Sequence, residues 1–302
     1  MTDWLRGNRQ AIARSLGSVL AVVLLVVLLR EESIDQITSA LKRISIWYFL
    51  GGMLAMLISR LFVVSRWHVL LRSAGIDISF WHTAMLTFTG LFSSNFLPTT
   101  IGGDVVRLAG AMQLGYDRAI CLASMVADRL IGMAGMLVTL PFGLIPVLSL
   151  GKAGLQAIYF GALLQKGLDF VKRIFGIFVI WFRKPLALVE SLGSTFGNMI
   201  FIFLAIFLLI TGMGRYVSYW LIAGLWSLTY FVALIPISVN GYGVQELSLT
   251  FLLAEIGGLN HSESLTIAVL IRVLFIVTSV PGAFFLPSIL AAMNNKQPAP
   301  ND

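Results

Sequence analysis

Long apolar runs, each close to the length of one bilayer crossing, follow one another along this chain with little polar sequence between them. A helix needs about 20 mostly apolar residues to cross a hydrocarbon layer of roughly 30 Å. Runs of that kind lie at Ala11 to Leu29, Ile46 to Val64, Phe80 to Leu97, Ala119 to Leu140, Ser194 to Met213, Tyr216 to Ile235 and Ser264 to Leu286. In hydrocarbon every backbone polar group must be satisfied within the protein, which selects helices for runs of this length. The composition agrees: 58% of residues are hydrophobic and 12% charged, with a mean hydropathy of +0.91. The expected fold is an all-α, polytopic transmembrane helix bundle of about 7–8 spans. It forms a single integral-membrane domain over residues 1–293, and a polar tail, 294–302, is expected to be disordered.

Charge and rare residues narrow the function classes. The net charge is +7 with a pI near 9.8, but the basic residues stand singly between apolar runs, as membrane flanks do, and form no nucleic-acid-binding stripe. A single cysteine, Cys121, and the scattered His68, His82 and His261 offer no set of metal ligands, so neither a metal nor another cofactor is expected. The run after Arg6, Arg9 and Arg14 resembles a signal-peptide core, but Arg30, Glu31 and Glu32 follow it in place of a cleavage pattern, and it reads as an uncleaved first helix. Arg66 and Arg72, taken as flanks of the second helix, place that end and the N-terminus in the cytoplasm. The loop Glu31 to Arg43 then lies outside, with Ile34, Ile37 and Leu41 at the spacing of a short surface helix. Arg60 reads as a side chain that snorkels to the interface. Gly154 to Phe182, cut by Lys166, Lys172 and Arg173, fits a tilted span, an interfacial helix or both.

Two breaks interrupt the apolar pattern. The first runs from Ser94 through Asn95, Pro98, Gly102, Gly103 and Asp104 to Arg107. Proline removes a backbone donor and the glycine pair tolerates unusual backbone angles, so a helix should stop at Pro98 and another start near Gly103. Asp104 then sits in a first turn, at the positive end of the helix dipole, with Arg107 three residues on and on the same face. The second break runs from Pro236 through Ser238, Asn240, Gly241 and Gly243 to Glu246. Asn240 or Ser238 is suited to cap the next helix, which would bring Glu246 near its first turn. Both segments read as broken or re-entrant helices, the arrangement expected of an inverted repeat. Asp128, Arg129 and Arg272 interrupt spans otherwise fit for lipid. A charge at a helix centre costs roughly 2.5–3.5 kcal/mol on insertion scales, so these residues should face the bundle interior. Asp104, Asp128 and Glu246 would offset Arg107, Arg129 and Arg272, in an order the sequence leaves open.

Taken together, the Asn95-x-x-Pro98-x-x-x-Gly102-Gly103-Asp104-x-x-Arg107 pattern, Asp128-Arg129-x-x-Gly132, and Pro236-Ile237-Ser238-x-Asn240-Gly241-x-Gly243-x-x-Glu246 resemble the lysylphosphatidylglycerol synthase transmembrane region, the flippase-like or UPF0104 family. The resemblance implies a helical membrane fold with re-entrant segments and, for some members, movement of lipids between leaflets. It also implies that the soluble synthase domain of the multiple peptide resistance factors is not part of this chain. The expected function is translocation of a polar-headgroup lipid, phospholipid, aminoacyl-phospholipid or isoprenoid-linked, in the cell membrane. Asn95, Pro98, Gly102, Gly103, Asp104, Arg107, Asp128, Arg129, Asn240, Gly241, Gly243, Glu246 and Arg272 are the expected substrate-binding residues. The alternatives are a membrane-embedded transferase with Asp104 or Glu246 as base, and a scaffold for a lipid synthase or glycosyltransferase. Membrane lipids are the expected partners.

Overall fold

A computed structural model of the chain describes residues 42, 44–97, 102–149, 185–234 and 241–287. The expected first helix, the surface helix around Ile34 to Leu41, the 154–182 region, Pro98, the stretch Pro236 to Asn240 and the polar tail lie outside the described residues. Within them all regular structure is helical: α1 (Ile46–Ser73), α2 (Phe80–Ser94), α3 (Gly102–Gln113), α4 (Arg118–Thr139), α5 (Pro141–Ser149), α6 (Pro185–Gly212), α7 (Tyr219–Leu234), α8 (Val244–Glu255), α9 (His261–Ser279) and a 3-10 turn, Val280–Phe284. Among the described residues, four helical stretches are long and apolar enough to cross a membrane: α1, α4, α6, and α9 with its 3-10 turn. The chain is a polytopic helical membrane protein.

The run Phe80 to Leu97, expected as a full span, is shorter than that. Helix α2 has 15 residues and α3 has 12. At 1.5 Å per residue these are about 22 Å and 18 Å long, less than the hydrocarbon thickness. They pack antiparallel as a hairpin: Leu86 shares a core with Ala111, Gly90 lies against Arg107, and Ser94 lies against Gly103. A hairpin of two short limbs is what the break at Pro98 predicts. Helix α8, 12 residues, is the matching short element after the second break and packs against both α7 and α9.

The main core joins α1, α4, α6, α7, α8 and α9 through Met56, Met199, Ile206, Leu209, Ile222, Leu253 and Leu274. Lipid is as apolar as these side chains, so interhelical hydrogen bonds and close packing contribute to holding helices together. Ser59 Oγ on α1 donates to Asn198 Oδ1 on α6 at 2.7 Å, and the Thr139 and Ser227 hydroxyls join α4 to α7 at 2.6 Å. A double-mutant cycle of Ser59→Ala and Asn198→Ala should give a coupling of about 0.6 kcal/mol and no more than about 2, read from unfolding in mixed detergent micelles.

Candidate functional site

The first polar cluster is built where α3 and α4 meet beside α1. Asp104 stands in the first turn of α3, and one turn on Arg107 Nη1 donates to its Oδ1 at 3.2 Å. Asp104 Oδ2 also accepts from Arg129 Nε of α4. Asp128, the residue before Arg129, points elsewhere, because consecutive helical residues diverge by about 100°. It bonds Arg66 Nε of α1 at 2.6 Å and lies 3.6 Å from Arg107 Nη1. Arg107 and Asp128 are buried, at 7% and 3% relative exposure, while the Arg129 side chain keeps 41% and opens the cluster to its surroundings. The Arg107 guanidinium stacks over Trp67 of α1 at 4.0 Å, and Trp67 Nε1 donates to Ser124 Oγ at 3.1 Å. Arg107 Nε and Nη2 are nevertheless buried without a hydrogen-bond partner.

The second cluster repeats the plan. Glu246 stands in the first turn of α8, where its Oε2 accepts from Gly243 N–H at 2.7 Å and its Oε1 from Arg272 Nε of α9. Gln245 Oε1 accepts from Arg272 Nη2 at 3.1 Å, and Tyr242 places its ring face 4.4 Å from the Arg272 guanidinium. In each half an acid opens a short helix after a glycine-bearing break and bonds an arginine on the next long helix. The separation is 25 residues in the first case and 26 in the second. The two halves touch directly: Tyr242 OH donates to the Asn95 carbonyl at 3.2 Å, and Asn95 Nδ2 donates to Ser279 Oγ at 2.9 Å. The first break is thereby tied to the second break and to the end of α9.

The comparisons with known proteins bear on this arrangement. A model of the family described as the lysylphosphatidylglycerol synthase TM region matches residues 14–282, which takes in both clusters and both breaks. The chain belongs to that family. It is also similar to a UPF0104 membrane protein of Methanothermobacter thermautotrophicus, at 28% identity over 148 residues. The aligned part covers 49% of this chain and 40% of that protein, so the likeness spans less than half of the curated relative's length.

In this lysylphosphatidylglycerol synthase TM-region protein, the structure gathers Asp104, Arg107, Asp128 and Arg129 into one cluster, and Glu246 with Arg272 into the other. Asn95 lies between them; Pro98 and Asn240 fall outside the described residues. Gly241 and Gly243 adopt φ of +72° and +78°, the left-handed conformations expected of the second break. Gly243, not Asn240 or Ser238, holds the N-cap position of α8, and the Glu246 carboxylate takes its amide. Gly102 and Gly103 have a different role from the one expected. Both are part of helix α3, and what they provide is room. A Cβ on Gly103 would stand 2.0 Å from Ser94 Oγ and 2.3 Å from the Gly90 carbonyl.

Two arginines also change role. Arg66 is no cytoplasmic flank: α1 continues to Ser73, carried by the buried Trp67, Leu70 and Leu71, and Arg66 is buried against Asp128. Of the two basic residues expected to flank this helix end in the cytoplasm, Arg66 is thus turned inward. The other, Arg72, keeps a side-chain exposure of 58% and lies 3.7 Å from Asp77. Arg60 does not run outward along lipid to the interface, because its guanidinium lies over the Phe275 ring of α9 at 4.7 Å. Trp67 and Tyr242 were not singled out in the sequence. Their signal is weak: each is an aromatic residue within a few positions of an arginine or a glycine pair.

Proposed function

We propose that this protein carries a phosphate-bearing lipid headgroup between leaflets of the cell membrane, with the tails left in the bilayer and the N-terminus on the cytoplasmic side. The description of its family names the transmembrane part of a lysylphosphatidylglycerol synthase, which is consistent with a lipid substrate. The observation that carries the reading is the pair of unused donors on Arg107 in the first cluster. Arg66, Arg107 and Arg129 gather there around Asp104 and Asp128, and Arg107 Nε and Nη2 are buried without a hydrogen-bond partner. A buried donor left unpaired is costly in a low-dielectric interior. A phosphodiester carries one negative charge and oxygens suited to the fork of a guanidinium, and it would take up those donors. The same contacts would lower the barrier that hydrocarbon presents to a charged headgroup. The carboxylates would hold the arginines in place and offset part of their charge, so that the anion is not trapped.

The test is reconstitution in vesicles with a fluorescent phosphatidylglycerol, read by the loss of dye accessible to an external quencher. Asp104→Asn and Glu246→Gln should slow its appearance in the opposite leaflet by at least about tenfold, the scale of one lost charge-assisted contact. Wild-type protein that moves the lipid no faster than these variants would rule translocation out.

A further inference from the structure

Arg60 is an arginine of α1 that the two clusters as described leave without an acid. It lies six residues before Arg66 on the same helix, about 9 Å along the axis and about 120° around it. The two side chains therefore leave α1 toward different neighbours. Arg66 reaches α4, where Asp128 receives it; Arg60 reaches α9, where its guanidinium lies over Phe275, one turn beyond Arg272. The doubled plan of the site shows why the outcomes differ. In the first half the arginine bonded to the helix-opening acid is preceded by Asp128, and that acid takes the arginine from α1. In the second half Arg272 is preceded by Ile271, an apolar residue with no charge to offer. Glu246 is already committed to Arg272 and to the Gly243 amide. Among the described residues no carboxylate pairs with Arg60, its Nε is buried without a partner, and the like charge of Arg272 acts on it across the α1 and α9 contact.

Among the described residues the Arg60 and Arg272 guanidiniums are met by one carboxylate, Glu246, which bonds Arg272. Stacking on Phe275 contributes, but an aromatic face supplies no counter-charge and leaves Nε without a partner. We propose that Arg60 and Arg272 form a second seat for a phosphodiester monoanion, set on another side of α1 from the first. The seat rests on the translocation reading for the source of its anion, a membrane phospholipid, and it makes Arg60 a binding residue. Two arginine-lined seats on one helix would allow a headgroup to pass from one to the other without meeting a neutral, dehydrated gap.

The test measures binding of dihexanoyl phosphatidylglycerol to the full chain in detergent micelles by thermophoresis, with inorganic phosphate and uncharged dihexanoylglycerol as competitors. Arg60→Gln should weaken binding by at least about tenfold, and Arg60→Lys, which keeps the charge but not the fork, should recover only part of that loss. The unliganded Arg60→Gln protein should melt at the same temperature as wild type or higher, because a like-charge repulsion is removed. A packing role for Arg60 would lower the melting temperature and the affinity together, and that result would overturn the proposal. So would Arg60→Gln binding as wild type does. Inorganic phosphate displacing the lipid as well as the lipid itself would overturn a phospholipid source, while failure of the uncharged analogue to compete supports the charge as the recognised feature. In vesicles, transport that Arg60→Gln leaves intact alongside unchanged binding removes the seat and spares translocation. Arg60-dependent binding in a wild-type protein that moves no lipid removes translocation and spares the seat.

Discussion

Asp128→Ala should cost about 3–5 kcal/mol of folding free energy, the range for removing one partner of a buried ion pair and leaving the other charge unmet. The carboxylate holds Arg66 of α1 at 2.6 Å and stands 3.6 Å from Arg107 of α3, so it fastens the re-entrant hairpin and the first described span to α4 at once. Without it, Arg66 loses the carboxylate it bonds and Arg107 loses one of its two. Arg66 has one other partner nearby, Thr195 Oγ1 at 3.4 Å, a neutral acceptor at the edge of hydrogen-bonding distance. The measurement is the unfolding midpoint in mixed micelles, accompanied by the yield of monodisperse protein. Asp128→Asn should be nearly as harmful, because the amide fits the space and restores no charge. The discriminating variant is the double substitution Arg66→Gln with Asp128→Asn, which removes both charges and lets two amides pair. It should recover more than half of the loss; a double variant as unstable as Asp128→Asn alone would mean that the packing of this corner, not its charge, is what Asp128 secures.

How much of this site was legible depends on how local each contact is. Asp104 and Arg107 share a helix face by spacing alone, and Glu246 follows Gly243 by three residues at the start of a helix; each is within one turn of the feature that betrays it. Asp128, Arg129 and Arg272 were legible from the cost of placing charge inside an apolar run, which requires an inward direction but names no partner. The pairing itself is tertiary. Asp128 bonds Arg66, 62 positions away, and Arg129 bonds Asp104, 25 positions away, instead of each other. Arg66 and Arg60 were misread for one reason: a long basic side chain near the end of an apolar run looks the same whether it exits to the headgroups or turns inward. Only the neighbouring helix decides. The extent of α1 misled in the same direction, since hydropathy falls at Ser65 and Arg66 although the helix runs on to Ser73. The glycine pair shows the complementary limit, because a Gly-Gly step is equally well explained by an unusual backbone angle and by a neighbour too close for a Cβ.

That close approach yields the second large effect, Gly103→Ala. The added methyl would stand 2.0 Å from Ser94 Oγ, 2.3 Å from the Gly90 carbonyl oxygen and 3.0 Å from its carbon. A hydroxyl can rotate away, but the carbonyl belongs to the backbone of α2 and moves only with the whole limb. Overpacking of this kind costs typically about 1–3 kcal/mol and more where backbone must shift. Here the shift has a functional consequence, because prising α3 off α2 carries Asp104 and Arg107 away from Arg129 and Asp128. On the proposed translocation, transport should therefore fall further than stability does. Two comparisons separate the causes. Gly193→Ala, in α6, meets nothing within 4 Å and should leave both stability and transport at wild-type values. Ser94→Ala combined with Gly103→Ala removes the nearer clash and leaves the carbonyl, so it should rescue only part of the loss. Full rescue by Ser94→Ala would show that the two backbones are not in contact at Gly90 and Gly103, and the hairpin would then hold its arginine and acid by some other means than this crossing.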